Sequence, residues 1–160
     1  MNPVIRPIEA RDNAALAKII RSALAEFGAN KPGTVYFDES TDRLSDLFQR
    51  PGSFYYVAEQ DELILGGAGI YPTAALPDGY AELVKMYLDP SARGLGLGRK
   101  LISKCLDDAS RAGYTHVYLE TMPELRKAVT VYERFGFHYL EGPLGNSGHF
   151  GCDVWMLKSL

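Results

Sequence analysis

The stretch LDPSARGLGLGRKLI, from Leu88 to Ile102, decides the fold. It follows an apolar segment, places glycines at every second position (Gly94, Gly96 and Gly98), and leads into an apolar pattern of helical spacing. A strand that turns through glycines into a helix directs backbone N–H groups at one point, where the helix dipole adds partial positive charge. Glycine also allows close approach and positive φ. The stretch therefore predicts an anion site, most often for phosphate, with a tight turn that binds nothing as the alternative.

The spacing of these residues excludes two common phosphate motifs. Both the dinucleotide fingerprint G-x-G-x-x-G and the Walker pattern G-x-x-x-x-G-K would need a glycine at position 99, where Arg99 stands. The pattern that fits is R-x-x-G-x-G, from Arg93 through Gly96 to Gly98. In this feature the sequence resembles the GNAT superfamily of acyl-CoA-dependent N-acyltransferases, whose loops of this pattern bind pyrophosphate.

Two blocks of sequence carry the resemblance. The first, ELVKMYLDPSARGLGLGRKLISKCLDDASRAGYTHVYLET (Glu82–Thr121), is similar to the central strand–loop–helix–strand unit of the family. The second, AVTVYERFGF (Ala128–Phe137), is similar to its A-x-x-x-Y-x-x-x-G-F block. Together the blocks cover roughly residues 80–140 in the family's order and separation, which makes the match specific for fold and cofactor.

Hydrophobic periodicity predicts the remaining elements, and the 46% hydrophobic content is sufficient for a core. We expect one domain over residues 1–160, of α/β class with a mixed sheet and the order β-α-α-β-β-β-α-β-α-β-β. The predicted segments are an extended Pro3–Ile8, a helix over Leu16–Phe27, a loop over Gly28–Ser40, a short helix over Asp42–Gln49, strands over Ser53–Gln60 and Glu62–Pro72, a strand from Tyr80 that ends before Pro90, a helix from Leu97 that stops at Gly113, a strand over Thr115–Met122, a helix over Leu125–Phe135, and strands over Phe137–Gly142 and Cys152–Lys158.

The resemblance implies that coenzyme A lies in a cleft where two central parallel strands separate. The pantetheine arm would pair with the backbone at the end of the strand before the loop, and the loop would wrap the pyrophosphate through its N–H groups. The residues implied in cofactor binding are Met86, Tyr87, Leu88, Arg93, Gly94, Leu95, Gly96, Leu97, Gly98, Arg99 and Tyr132.

Tyr132 occupies the position of the family's motif tyrosine, which implies that its hydroxyl protonates the leaving thiolate of coenzyme A. By spacing alone, Tyr132 lies on the apolar face of its helix, so a core tyrosine is the alternative interpretation. The sequence departs from the family at Leu125, where many members carry an asparagine that contacts the cofactor.

A general base is needed because an amine attacks only after it has lost a proton. Glu82 lies eleven residues before Arg93, at the offset where histone-acetylating members of the family place a catalytic glutamate. Glu120 matches the place of the glutamate that ribosomal-protein N-terminal acetyltransferases use. We favour Glu82 slightly, and a role shared through water is the third possibility.

Composition restricts the remaining choices. The net charge of −3 argues against nucleic acid as a partner. No apolar run of membrane-spanning length exists, the N-terminus does not resemble a signal peptide, and the two cysteines favour a cytoplasmic location. His116, His138 and His149 lack metal-ligand spacing, so no metal is expected. Cys105 reads as a buried residue, which favours direct transfer over an acyl-enzyme.

The sequence therefore predicts an N-acetyltransferase that transfers an acetyl group from acetyl-CoA to a primary amine. A non-catalytic acyl-CoA sensor or partner-binding module is the alternative. Acceptor determinants are expected in three segments: Gly28–Asp38, Tyr71–Tyr80 and Gly142–Phe150. By analogy with proteins of this fold that pair through C-terminal strands, a homodimer is expected, and an exposed edge at the strand CDVWMLK (Cys152–Lys158) would serve it.

Overall fold

A seven-stranded mixed sheet organises the protein, whose computed structural model describes residues 2–160. Its strands are β1 (Val4–Pro7), β2 (Phe54–Gln60), β3 (Leu63–Tyr71), β4 (Tyr80–Leu88), β5 (His116–Thr121), β6 (His138–Leu140) and β7 (Val154–Ser159). They lie in the order β1-β2-β3-β4-β5-β7-β6. Every neighbouring pair is antiparallel except β4 and β5, which are parallel.

Helices cover both faces of the sheet. They are α1 (Asn13–Glu26), α2 (Leu44–Leu47), α3 (Leu97–Arg111) and α4 (Arg126–Arg134). The apolar stripe of α1 packs with α2 against one face, where Leu16, Ile20 and Leu44 are fully buried. The stripe of α3 and the inner side of α4 pack against the other face, around Leu101 and Ile102. Among residues 2–160, no helix combines the length and the apolar character that crossing a bilayer requires.

The predicted element order and mixed α/β class are confirmed, with differences at the element ends. The short second helix is mostly a 3-10 turn, Glu39–Arg43, followed by one turn of α-helix. The last helix begins at Arg126, after a 3-10 turn that opens at Pro123, a residue that suits a first helical turn.

The expectation of an exposed edge at the last strand is wrong. β7 pairs with β5 on one side and with β6 on the other, so it lies inside the sheet. The chain reverses after β6 and returns between β6 and β5, which a strand order read from the sequence cannot show. The described edges of the sheet are β1 and the three-residue β6.

A β-bulge distorts β4 at its centre. Gly67 pairs with Tyr87 and Gly69 pairs with Val84, so β4 carries one residue more than β3 between the same two pairs. The distortion is concentrated at Lys85, whose φ is +53° within the strand. The Tyr55 hydroxyl stabilises it by donating a hydrogen bond of 2.8 Å to the Lys85 carbonyl. Bulges of this kind redirect side chains and interrupt strand pairing.

β4 and β5 pair over only a short distance. Residues Tyr80–Glu82 face His116–Tyr118 in parallel register, and no pairing continues beyond them. The two strands separate towards their carboxyl ends, where open α/β sheets commonly bind ligands. This separation opens a cleft between the two halves of the sheet.

Candidate active site

The cleft between β4 and β5 has a volume of about 790 Å³. Most residues that the sequence assigned to the cofactor or to catalysis line it: Glu82, Met86, Tyr87, Leu88, Arg93, Gly94, Gly96, Leu97, Gly98, Arg99, Glu120 and Tyr132. Leu95 does not line the cleft, and its residue surface is 54% exposed. Leu125, the departure from the family pattern, also borders the cleft.

The glycine loop has the backbone geometry that its sequence predicts. Gly94 and Gly96 have φ of +80° and +76°, and a Cβ atom added at either would meet no heavy atom within 4 Å. Glycine is thus required there by conformation, not by crowding. Gly96 is also the N-cap of α3 and carries no capping side chain. The first turn of α3 therefore presents its N–H groups and its dipole to the cleft.

Arg93 fastens this loop to α1. Its guanidinium donates to the Glu26 carboxylate and, over 3.2 Å, to the Leu88 carbonyl, and it lies 5.1 Å from the centre of the Phe27 ring. An arginine beside an anion site can supply positive charge, but Glu26 neutralises much of the charge of Arg93. In this structure Arg93 is primarily a residue that holds the loop in place.

Tyr132 projects from α4 into the cleft. Its ring packs against Phe137 with centres 5.9 Å apart, and the residue is 7% exposed. Burial raises the pKa of the phenol well above its usual value, so the hydroxyl stays protonated across the ordinary pH range. Tyr132 is therefore buried in the core and also lines the cleft. A position in the core and a position beside the cofactor are thus compatible.

Glu82 is a buried carboxyl at the closed end of the cleft, only 3% exposed. Burial raises its pKa to about 7; the nearby Glu120 adds to this effect, and the Thr73 hydroxyl, which donates a 2.6 Å hydrogen bond to Oε1, opposes it. A carboxyl that titrates near neutral pH can accept a proton and release it again, as a general base must.

Glu120 lies beside Glu82 but in a different environment. Tyr118 donates a 2.7 Å hydrogen bond to Oε2 of Glu120, and Ser147 donates one to Oε1. The Tyr118 hydroxyl also accepts a 3.1 Å hydrogen bond from the Leu144 amide, which links the loop between β6 and β7 to β5. Both oxygens of Glu120 are thus occupied, whereas only Oε1 of Glu82 has a partner within the described chain.

All three segments predicted to hold acceptor determinants reach this end of the cleft. Thr73 contributes its hydroxyl to Glu82, and Ser147 contributes its hydroxyl to Glu120. Asp38 bonds to His149 over 2.6 Å, which joins the loop before α2 to the loop before β7. The backbone of these two loops is also linked, by a 2.8 Å hydrogen bond from the Gly151 amide to the Gly33 carbonyl.

Two residues of the site were not predicted individually from the sequence. His149 was set aside for lack of metal-ligand spacing, yet ligand atoms of Glu82, Glu120 and His149 lie within 4.8 Å of one another. Such a group suits a cation, either a protonated amine or a divalent ion. Lys85 is the second residue, and alternation along β4 gave no reason to place it in the cleft. Its presence there depends on the bulge.

The cysteines offer no nucleophile. Cys105 is fully buried on the inner face of α3, as expected. Cys152 borders the cleft, and burial raises the pKa of its thiol to about 12, so it remains protonated and unreactive.

Comparison with known proteins gives the class of the protein. The chain matches the Acetyltransferase (GNAT) family over residues 17–137. It is 38% identical over 161 residues to the uncharacterized N-acetyltransferase YjgM of Escherichia coli K12, an alignment that covers 99% of this chain and 96% of YjgM. The chain therefore belongs to the GNAT family, and the protein is an acetyltransferase.

Solved structures share its fold. A GNAT-family acetyltransferase from Staphylococcus aureus Mu50 superimposes with a TM-score of 0.85 at 20% identity over 99% of both chains. The PaiA N-acetyltransferase of Thermoplasma acidophilum, solved in complex with coenzyme A, superimposes with a TM-score of 0.78 at 17% identity over 100% of both chains.

Proposed function

We propose that this protein binds acetyl-CoA in the cleft and transfers the acetyl group to a primary amine by direct attack in a ternary complex. The observation that carries the proposal is a buried carboxyl with a pKa of about 7, Glu82, in the same cleft as a protonated phenol, Tyr132. The glycine loop and the first turn of α3 would hold the pyrophosphate. Coenzyme A bound to the Thermoplasma protein supports this choice of cofactor.

The proposed reaction uses these two residues as a proton acceptor and a proton donor. Glu82 takes a proton from the substrate ammonium, and the neutral nitrogen attacks the carbonyl carbon of the thioester. The new N–C bond forms as the C–S bond breaks. The thiolate of coenzyme A then takes the hydroxyl proton of Tyr132, which removes it as a nucleophile for the reverse reaction. The Tyr132 phenolate takes the second proton that the nitrogen loses as it becomes an amide, which restores the phenol. No protein thiol takes part, consistent with the buried, protonated Cys105 and Cys152.

Glu120 is better suited to positioning than to proton transfer. Its two oxygens accept hydrogen bonds from Tyr118 and Ser147, which fixes the carboxylate beside Glu82. A negative charge held there would attract the incoming ammonium and would keep the pKa of Glu82 high. We therefore assign the base to Glu82 and the orientation of the amine to Glu120.

The first experiment is a calorimetric titration with acetyl-CoA, with coenzyme A and ATP as comparisons. Micromolar binding of acetyl-CoA with much weaker binding of ATP would support the cofactor. Release of coenzyme A is then measured with a panel of primary amines. Turnover with any amine supports the enzyme, whereas tight binding without turnover across the panel would favour an acyl-CoA sensor. Failure to bind acetyl-CoA would overturn the proposal.

A further inference from the structure

The bulge in β4 determines which way Lys85 points. In a regular strand, residues an odd number apart lie on opposite faces. Leu83 and Met86, three residues apart, nevertheless both pack with the core cluster beneath α3. The extra residue is accommodated at Lys85, where φ is +53°. The Lys85 side chain thus lines the cleft together with Glu82, on the side of the sheet that faces the acceptor loops.

Lys85 is a buried cation that forms one long ion pair. Its side chain is 4% exposed, and its ammonium lies 3.7 Å from Oδ2 of Asp38, too far for a hydrogen bond. That oxygen already bonds to His149 over 2.6 Å. Burial lowers the pKa of Lys85, while Asp38 and Glu82 oppose that effect and favour the charged form.

A buried ammonium of this kind requires an anion to compensate its lost hydration. Asp38 compensates it only in part, and the remaining open direction is the cleft. The strained backbone at Lys85 also has a cost, which is common where a side chain must be aimed at a ligand. The acceptor end of the cleft thus carries a cation at Lys85 and anions at Glu82 and Glu120.

We propose that the acceptor is a free amino acid, with its carboxylate bound by Lys85 and its amine bound at Glu82 and Glu120. This inference rests on the proposed function, because it names the substrate class of the same site. A carboxylate suits the site better than a phosphate, since Asp38, Glu82 and Glu120 already supply negative charge around one lysine. The carboxylate of an amino-acid zwitterion would face Lys85 and its ammonium would face Glu82 and Glu120, and the zwitterion adds no net charge.

The competing explanation is that Lys85 serves only as a counter-ion for Asp38. The two explanations differ in their consequences for ligand choice. A counter-ion holds the loop whatever the ligand carries at its far end, so its loss would weaken every acceptor equally. A carboxylate anchor discriminates between a free acid and the corresponding amide, which has the same amine and side chain but no negative charge.

The test is a binding experiment that needs no turnover. Protein saturated with coenzyme A is titrated by calorimetry with the twenty standard L-amino acids and β-alanine, each compared with its own carboxamide. We expect at least one acid to bind about tenfold or more tightly than its amide, the size of a charge-assisted hydrogen bond. In Lys85→Gln the ratio should fall to about one, and Lys85→Arg should restore part of it.

Controls separate this result from a folding defect. Lys104→Gln, at a half-exposed lysine outside the cleft, should keep the wild-type ratio. Acetyl-CoA affinity and thermal unfolding of Lys85→Gln report whether the fold is intact, and Lys85→Met is used if that variant does not fold.

The inference is overturned if no acid binds more tightly than its amide, or if Lys85→Gln weakens acid and amide by the same factor. Failure of the proposed function has a different signature, namely no binding of acetyl-CoA or no release of coenzyme A with any amine.

Discussion

Glu82 combines burial with a single hydrogen-bond partner, and its proton should therefore control the rate. In the proposed reaction the ionised form of Glu82 is the base, so activity should fall as the pH drops below about 7, the pKa of this carboxyl. We expect Glu82→Gln to lower kcat/KM by about 10²–10⁴-fold and to remove this acidic limb from the pH–rate profile. Glu120→Gln, the matched control, should reduce the rate but retain an acidic limb, shifted to lower pH because a neighbouring charge is lost.

The pH–rate profiles of the two variants show which of the two carboxyls acts as the base. An acidic limb that survives in Glu82→Gln and disappears in Glu120→Gln would exchange their roles. Survival in both variants would exclude both residues as the base.

Tyr132 gives a second prediction at the scale of one residue. Replacement by phenylalanine removes one oxygen and leaves the packing against Phe137 intact. We expect Tyr132→Phe to lower kcat by about a hundredfold or more, because the leaving thiolate loses its proton donor. The affinity for acetyl-CoA, measured by calorimetry, should change by less than about threefold. An unchanged kcat would remove Tyr132 from the acid role.

At the scale of elements, the turn between β4 and α3 is the proposed pyrophosphate site. A Gly96→Glu substitution places a negative side chain in the open space beside the first turn of α3, at a φ of +76°. We expect acetyl-CoA binding to be lost in calorimetry, because the carboxylate competes with pyrophosphate and blocks the approach of the backbone.

The far end of the same helix offers a control. Gly113 also has positive φ, +96°, and open space around its Cβ position. Gly113→Glu imposes the same charge and similar strain, and it should retain cofactor binding. Loss of binding in both variants would point to a general loss of helix stability, and retention in Gly96→Glu would contradict the assignment of the loop.

Periodic elements could be predicted from the sequence, whereas positions set by a local irregularity or by chain reversal could not. Strict alternation and helical spacing predicted α3 and its neighbours, because one face of each element is buried. The bulge at Lys85 has no comparable signal, since it depends on how β3 and β4 pair. His149 reaches Glu82 only because β7 returns between β5 and β6 and brings the preceding loop over the cleft.

At the scale of the whole molecule, the buried carboxyl of Glu82 should destabilise the fold once it is ionised. The pKa of Glu82 rises from 4.5 to about 7 on folding, so the unfolded chain releases this proton first as the pH increases. Folding stability is therefore lost between about pH 4.5 and 7 and remains lower above that range. At 1.36 kcal/mol per pKa unit, the loss is roughly 3 kcal/mol.

Glu82→Gln should recover this loss. Its side-chain carbonyl can still accept the hydrogen bond from Thr73, and it carries no charge to desolvate. We expect the variant to be more stable than wild type by roughly 2–3 kcal/mol at pH 8, with little difference near pH 4.5, in urea unfolding monitored by circular dichroism. A variant that is equally stable at both pH values would show that Glu82 titrates normally.

The short parallel ladder between β4 and β5 also has a mechanical consequence. The two halves of the sheet are joined by three residue pairs, Tyr80–Glu82 with His116–Tyr118, and these pairs form a narrow hinge. If the halves rotate about this hinge, displacement grows with distance from it, so β4 and β5 separate most at Leu88 and the glycine loop. Glu82 lies in the hinge itself, where it pairs with Tyr118. We therefore expect the distance between β4 and β5 to vary most at the glycine loop and least at Glu82.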